Sequence, residues 1–337
     1  MFKPEKFIIE KVRELQERIK GAAIIGISGG VDSTTAAILV NRAIGKNLRC
    51  VLVDTGYMRK NEIANNKEMF KKLGQPADLP AKALAQAGAP AQAGLNVRVV
   101  DAQQRFYDKL KGVTEPEKKR KIIGELFIRV FEEVAREDGT GYFIQGTIAP
   151  DWIESGGGLR DTIKSHHNVG GLPAEIGFEI VEPLRDLYKD EVRLVGQELG
   201  LPPEIYEKQP FPGPGLAVRI IGEPTPENAQ IVREACAIVE EEIEQAVQAR
   251  QMNKPWQYFA VLLPVKAVGV HGDVRAYGNI IVVRAVESID AMSAAYSKIP
   301  YQILEKISVR LTNTLKDHIS RVVFDITNKP PGTIEYE

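Results

Sequence analysis

Ala22-Ala23-Ile24-Ile25-Gly26-Ile27-Ser28-Gly29-Gly30-Val31-Asp32-Ser33-Thr34 is the stretch on which the fold turns. Its first half, 22–27, is a short apolar run closed by a serine, the pattern of a strand buried on both faces. Gly29 and Gly30 permit a tight turn and let the backbone approach an anion closely. Residues 34–43 have helical spacing, so the turn leads into a helix. The N–H groups at a helix start, with the helix dipole, favour phosphate. Ser28, Ser33 and Thr34 add hydroxyl donors. Asp32 repels a phosphate unless Mg2+ stands between them. The competing explanation is an ordinary strand–turn–helix junction, capped by a serine or aspartate. Neither the Gly-x4-Gly-Lys-Ser/Thr loop nor Gly-x-Gly-x-x-Gly occurs at this turn.

Outward from this junction, 7–19 reads as an amphipathic helix and 49–53 as a second buried strand, followed by the turn Asp54-Thr55-Gly56. A helix is expected over 63–73 and a third strand over 97–100. Thr114 opens a further helix through a Thr-x-x-Glu capping box to Glu117. Its apolar stripe is Ile123, Leu126, Phe127, Val130, Phe131 and Val134. A fourth strand covers 142–144, and a helix over 186–199 is stopped by Gly200 and Pro202. Alternating strands and helices predict an α/β fold, a doubly wound parallel sheet.

The pattern changes at Gln209-Pro210-Phe211-Pro212-Gly213-Pro214-Gly215, which suits neither a helix nor a central strand. Beyond it Val232, Ala235, Cys236, Val239, Ile243 and Ala246 stripe one long helix. Strand-like runs follow at 258–263, 265–270, 280–283 and 321–326. The expected organisation is a first domain over 1–205 and an α+β second domain over 206–337. Residues 75–94 hold eight Ala, three Pro, three Gln and two Gly, with no apolar face to bury, and read as a surface insertion.

A chain of 337 residues suits two domains. No apolar run approaches the roughly 18 residues of a membrane helix. Residues 1–6 show no signal-peptide pattern. Cys50 and Cys236 form neither a disulfide framework nor a CxxC pair, so a reducing cytoplasm is expected. Cys50, inside Cys50-Val51-Leu52-Val53, reads as a buried strand residue. Neither cysteine sits in a glycine-flanked nucleophile turn, which argues against glutaminase chemistry in this chain. The net charge of −1 gives no general attraction to nucleic acid.

The string Ser28-Gly29-Gly30-Val31-Asp32-Ser33 resembles the PP-loop of the N-type ATP pyrophosphatases, which adenylate a substrate oxygen and release pyrophosphate. The Asp54-Thr55-Gly56 turn looks like their adenine-side loop. Other strings narrow the resemblance: Gln145-Gly146-Thr147 with Pro150-Asp151-Trp152-Ile153-Glu154-Ser155-Gly156, and Ile163-Lys164-Ser165-His166-His167-Asn168-Val169-Gly170-Gly171-Leu172-Pro173. Pro210-Phe211-Pro212-Gly213-Pro214-Gly215-Leu216, His271-Gly272-Asp273-Val274-Arg275 and Lys329-Pro330-Pro331-Gly332-Thr333-Ile334-Glu335 complete the set. Together they resemble the synthetase part of the GMP synthases, in the separate-subunit form typical of archaea. The resemblance covers nearly the whole chain except 75–94, where the family passes straight from helix to strand.

The resemblance implies an adenine nucleotide alpha-hydrolase-like sheet with a C-terminal α+β dimerisation domain. It implies a ligase that makes GMP from XMP, ATP and ammonia, with Mg2+ beside the ATP. Ammonia would come from a separate glutaminase subunit, and the chain would form a homodimer through its second domain, with no nucleic-acid or membrane partner. ATP would be bound by Ser28, Gly29, Gly30, Val31, Asp32, Ser33, Thr34 and Asp54, with Asp32 on the metal. Catalytic residues would be Asp151, Glu154 and Lys164, in a mobile lid over 151–175. The XMP site would draw on Arg120, His166, His167, Asp273, Arg275, Lys329, Ile334 and Glu335.

Apart from the resemblance, these residues have plainer readings. Asp151 and Glu154 share a helical face as a solvated helix start would. Lys164 is a surface lysine. His166 and His167 diverge by about 100° on a helix and share a metal poorly. His271 is a turn histidine, and 329–337 an end that frays. Another PP-loop enzyme, such as an NAD synthetase or a tRNA-modifying adenylase, would share Ser28–Ser33 but not the later strings. A non-catalytic nucleotide sensor is the alternative of a different class.

Overall fold

The computed structural model describes residues 2–73, 94–149, 179–271, 273–289 and 291–337. In chain order the elements are α1 (Pro4–Arg18), β1 (Ala23–Gly26), α2 (Val31–Ile44), β2 (Leu48–Asp54), α3 (Glu62–Lys72), β3 (Val97–Asp101), α4 (Gln103–Leu110) and α5 (Pro116–Asp138). Then come β4 (Tyr142–Ile144), β5 (Glu179–Val181), α6 (Lys189–Glu198), α7 (Pro203–Tyr206), α8 (Pro226–Gln248), β6 (Gln257–His271), β7 (Val274–Glu287), β8 (Ala295–Tyr296), α9 (Tyr301–Thr314) and β9 (Ile319–Asp325). Two compact units share them. The first comprises Met1–Asp54, Asn61–Ala102 and Gly124–Lys208; the second comprises Thr55–Lys60, Gln103–Ile123 and Gln209–Glu337.

The first unit is built on a five-stranded sheet of order β3-β2-β1-β4-β5. Every pairing in it is parallel. Ile24, Ile25, Cys50, Val51 and Leu52 are buried, as the apolar runs of β1 and β2 require in a sheet covered on both faces. Ile8, Val12 and Leu15 of α1 recur at helical spacing and join the same core as Leu39 of α2 and Val192 and Val195 of α6. Truncating one such side chain to alanine typically costs about 2–5 kcal/mol. The doubly wound sheet thus stands as expected, with one strand more than the four read from the sequence. That strand, β5, has three residues, two of them exposed, too few for periodicity to register.

Helix starts differ from the sequence reading by up to three residues, and two of the differences have a clear local cause. α2 begins at Val31, not at 34, so Gly30 is its N-cap. α5 does not start from a Thr114 box. Pro116 takes the first helical position, and the Glu115 carboxylate accepts from the N–H groups of Glu117 and Lys118 at 3.0 and 2.6 Å. Proline there removes an N–H that needs no partner and leaves Glu115 one residue ahead, where a cap belongs.

In the second unit β6 and β7 form a long antiparallel hairpin, and β9 pairs with β7 in parallel. The sequence suggested two strands where β6 is one; Pro264 interrupts it. Pairing passes from Leu263–Ile280 to Lys266–Asn279, so 264 and 265 bulge out, which suits a residue without an N–H. α8 packs on β6 and α9, and α9 on β9. Gly278 has a specific reason to be glycine: a Cβ there would lie 2.5 Å from the Ile319 carbonyl carbon of the adjoining strand. Among the described residues no helix is long and apolar enough to cross a membrane.

Candidate functional sites

β1 lies between β2 and β4, and the chain order reverses across it. The crevice at such a switch point, beyond the carboxyl ends of the strands, is where open α/β sheets bind ligands. The loop Ile27–Gly30 leaves β1 at this place. Ile27 N–H still donates to Val51 O at 2.9 Å, so the strand holds its register up to the turn. Gly29 adopts φ +76°, and a Cβ on it would lie 2.5 Å from Asn66 Oδ1. Asn66, buried on α3, donates to Ser28 O at 3.3 Å and so fixes the loop from behind. Gly146 follows β4, and a Cβ on it would lie 3.2 Å from the Ser33 nitrogen. At Gly146 backbone meets backbone, whereas at Gly29 the positive φ and the Asn66 side chain are what exclude a Cβ.

No side chain caps α2. The N–H groups of its first turn therefore point into the crevice without an intrahelical partner. Ser33 Oγ lies 3.3 Å from Ser28 Oγ, and both hydroxyls line the turn. Thr34 is fully buried and its hydroxyl donates back to Gly30 O at 2.7 Å. Asp32 Oδ2 accepts from Lys189 Nζ, whereas its buried Oδ1 has no hydrogen-bond partner. Lys189 went unnoticed in the sequence. One local signal was available: a cation in the first turn of α6 opposes the helix dipole and needs an anion nearby. Asp54 ends β2, and its carbonyl accepts from Ala102 N–H at 2.9 Å.

The crevice has the parts of an anion cradle: open backbone N–H groups, two hydroxyls, a lysine and one carboxylate with a free oxygen lone pair. The carboxylate among these donors would repel a bare anion and suits one accompanied by a cation.

The second unit gathers another cluster around 329–337. Arg219 is fully buried, and its Nε and Nη2 grip Glu335 at 3.0 and 2.8 Å. Burial, which pulls a guanidinium pKa down, is outweighed by the charge and hydrogen bonds of Glu335, and the net shift is upward. Gln257 Nε2 adds a third bond to Glu335 at 2.8 Å. The Arg219 guanidinium also lies 4.1 Å from the Phe259 ring centroid. Ile334 is buried, and the Lys329 ammonium donates to Ala291 O at 2.8 Å. Arg120 donates to Glu337 O. Arg120, Lys329, Ile334 and Glu335 thus belong to one ordered part of the second unit, where the sequence alone suggested a fraying end.

Asp273 and Arg275 sit elsewhere in that unit. Asp273 holds φ +62° at the turn of the β6–β7 hairpin, and Arg275 pairs with Val270 beside it. Gln257, which touches Glu335, pairs with Val286 at the opposite end of the hairpin. Eleven residue steps along β7 lead from Arg275 to Val286, roughly 35 Å at the rise of a strand. Within one chain the structure does not bring Asp273 and Arg275 to Glu335. Asp151, Glu154, Lys164, His166 and His167 lie outside the described residues, as do the 151–175 segment and 75–93 of the insertion. Among the described residues no cluster of three or more His, Cys, Asp and Glu forms a metal site.

Two family profiles match the chain, "NAD synthase" over residues 2–83 and "GMP synthase C terminal domain" over residues 241–336. Curated relatives match it end to end. The B-type subunit of glutamine-hydrolyzing GMP synthase from Pyrococcus furiosus is 55% identical over 99% of this chain and 97% of its own length. The same subunit of Methanopyrus kandleri is 54% identical over 100% of both chains. Among solved structures, NMN synthetase from Francisella tularensis aligns with a TM-score of 0.44 at 15% identity, over 75% of this chain and 89% of that one. On identity above half across its full length, the chain belongs to the family of B-type GMP synthase subunits.

Proposed function

We propose that this chain is the synthetase subunit that makes GMP from XMP, ATP and ammonia. The observation that carries the proposal is the open glycine loop at the β1/β4 switch point, in a chain 55% identical throughout to a B-type GMP synthase subunit. In the first step the C2 oxygen of XMP attacks the α-phosphorus of ATP, and pyrophosphate leaves. In the second, ammonia adds at C2 of the adenyl-XMP intermediate, and AMP departs with the oxygen. Adenylation turns a poor leaving oxygen into a good one. The task of the protein is positioning and charge neutralisation.

In this reading Ser28, Gly29, Gly30, Val31, Asp32 and Ser33 hold the phosphates through backbone N–H groups and hydroxyls. Asp54 lies on the adenine side. Thr34, with its hydroxyl turned to Gly30 O, acts by fixing the helix start. Lys189 is added to the site: it neutralises Asp32 until a phosphate takes up its ammonium. The donor set also fits Mg2+, a hard cation that takes oxygen ligands, because Asp32 Oδ1 is buried and unpartnered. Bound there with ATP, Mg2+ would neutralise charge on the leaving pyrophosphate. Asp151, Glu154 and Lys164 are proposed to assist catalysis from a lid over 151–175 that keeps water from the intermediate.

XMP is proposed to lie against Lys329, Ile334 and Glu335, with Arg120, His166 and His167 in the same site. Asp273 and Arg275 would then serve from a second copy of the chain. A homodimer through the second unit is supported by the hairpin face that pairs Val268 with Tyr277 and carries Val270. These three are 45%, 66% and 69% exposed, an apolar patch at odds with an isolated monomer. A separate glutaminase subunit would supply ammonia, and the cytoplasm, with its ATP and nucleoside monophosphates, is the compartment that fits.

The decisive experiment measures pyrophosphate release with ATP and Mg2+ against XMP, deamido-NAD and citrulline. XMP alone should support it. GMP should form with ammonium and not with glutamine. Release with deamido-NAD and not XMP would overturn the proposal.

A further inference from the structure

Lys119 stands in the basic run Lys118-Lys119-Arg120-Lys121, in the first turns of α5. In the fold it is fully buried. Its ammonium donates to Ile220 O at 2.7 Å, to Ala217 O at 3.5 Å and to the Glu337 carboxylate. Those are all three of its N–H donors. None is left for a ligand, so Lys119 acts on any substrate only through another residue.

Glu337 is held just as completely. Its second carboxylate oxygen accepts from Gly222 N–H at 3.3 Å, and its main-chain oxygen accepts from Arg120. Glu335 and Glu337 face cations, while the Tyr336 hydroxyl donates to Asp325 at 2.6 Å. The two acids differ in what holds them. Glu335 is gripped by Arg219 and Gln257 beside the proposed nucleotide residues. Glu337 is clamped two residues further on, by residues from α5 and from the turn at Gly222. Burial works against both charges, pushing the Glu337 carboxyl up and the Lys119 ammonium down. Each group therefore depends on its partner to remain buried and ionised.

We propose that the Lys119–Glu337 pair is a positioning latch, which holds 329–337 in the conformation that receives the purine mononucleotide and so sets the affinity for it. The latch rests on the assignment of that segment to the XMP site. With either partner gone, a buried charge stands alone and the segment leaves its seat. Binding then occurs only from the seated fraction, and the apparent affinity falls by that fraction. Chemistry in the bound complex is untouched, because neither side chain reaches the substrates.

The test uses Glu337→Gln, Lys119→Met and the double variant in the full chain, assayed with ATP, Mg2+, XMP and ammonium. Glu335→Gln, inside the proposed site, is the companion. The expected result for each latch variant is a KM for XMP raised about tenfold or more, with kcat at saturating XMP and KM for ATP within about twofold. The double variant should be no worse than the worse single one, because the two groups act as a unit. Glu337→Asp should recover part of the loss. Unchanged KM for XMP in Glu337→Gln, with a raised KM in Glu335→Gln, overturns the latch and leaves the nucleotide site standing. Unchanged KM in both overturns the site and the latch together. A fall in kcat at unchanged KM overturns the positioning role. If Lys119→Met does not fold, Glu337→Gln decides alone.

Discussion

Replacing Gly29 by alanine tests the proposed phosphate loop at its tightest point. Gly29 has φ +76°, a conformation that costs an L-residue about 1–2 kcal/mol. The new methyl would also lie 2.5 Å from Asn66 Oδ1 and 2.7 Å from Nδ2, far inside contact distance. Asn66 must move, and its bond to Ser28 O is lost at about 1 kcal/mol. Together the two effects predict about 2–3 kcal/mol of destabilisation, a fall of roughly 4–12 °C in melting temperature for a unit of this size. Pyrophosphate release should drop on the order of a hundredfold, as when a fixed donor to a developing anion is removed. Asn66→Ala makes the experiment discriminating. It removes the obstacle, so Gly29→Ala in that background should cost only the conformational part, about 1–2 kcal/mol. Circular-dichroism melts of the four proteins measure the coupling. If Gly29→Ala costs as much without the Asn66 side chain as with it, close approach is not what makes residue 29 a glycine.

Three further outcomes are expected. Asp32→Asn should slow pyrophosphate release on the order of a hundredfold with little change in melting temperature; near-normal rates at saturating Mg2+ would reduce Asp32 to a helix-start residue. Burial penalises the Asp325 carboxylate, but bonds from Tyr336 and Thr327 and the charge of Arg284 prevail and hold its pKa below the usual range. The stability this contributes is present above about pH 4 and lost as pH falls through the depressed pKa, so Asp325→Asn should lower the melting temperature at pH 7 and progressively lose that effect below about pH 4; an equal effect at pH 3 would refute it. Both thiols are buried, and burial pushes Cys50 up to about 12 and Cys236 in the same direction, so neither should react with iodoacetamide at pH 8 before the chain unfolds, as mass spectrometry would register.

What the sequence made legible follows from range. The glycine turn, its strand and its helix are set by neighbours within a dozen residues, and their chemistry could be read directly. α4 was not anticipated, because only Phe106 and Leu110 of its eight residues are buried and two positions make no stripe. Glu115 was passed over as a cap because Thr114 beside it completed a familiar pattern. Lys119, Arg219 and Lys189 resemble ordinary surface cations until residues 218, 116 and 157 positions away close on them. No window of the chain records such partners. The resemblance to a family supplied Lys329 and Glu335 but not the groups that hold them.

The Lys119–Glu337 contact also sets a schedule. A ribosome adding about 5–20 residues per second needs roughly 10–40 s to pass from residue 119 to residue 337. Throughout that interval the ammonium destined for a dry interior stays in water, since its carboxylate does not yet exist. The second unit emerges in three batches, 55–60, 103–123 and 209–337, separated by stretches that belong to the first. The first unit has all its strands by residue 181 and its last segment by residue 208. The nascent chain is therefore expected to fold its glycine loop while the residues around 329–337 are still unmade, and to acquire the proposed XMP-binding surface only as synthesis reaches residue 337.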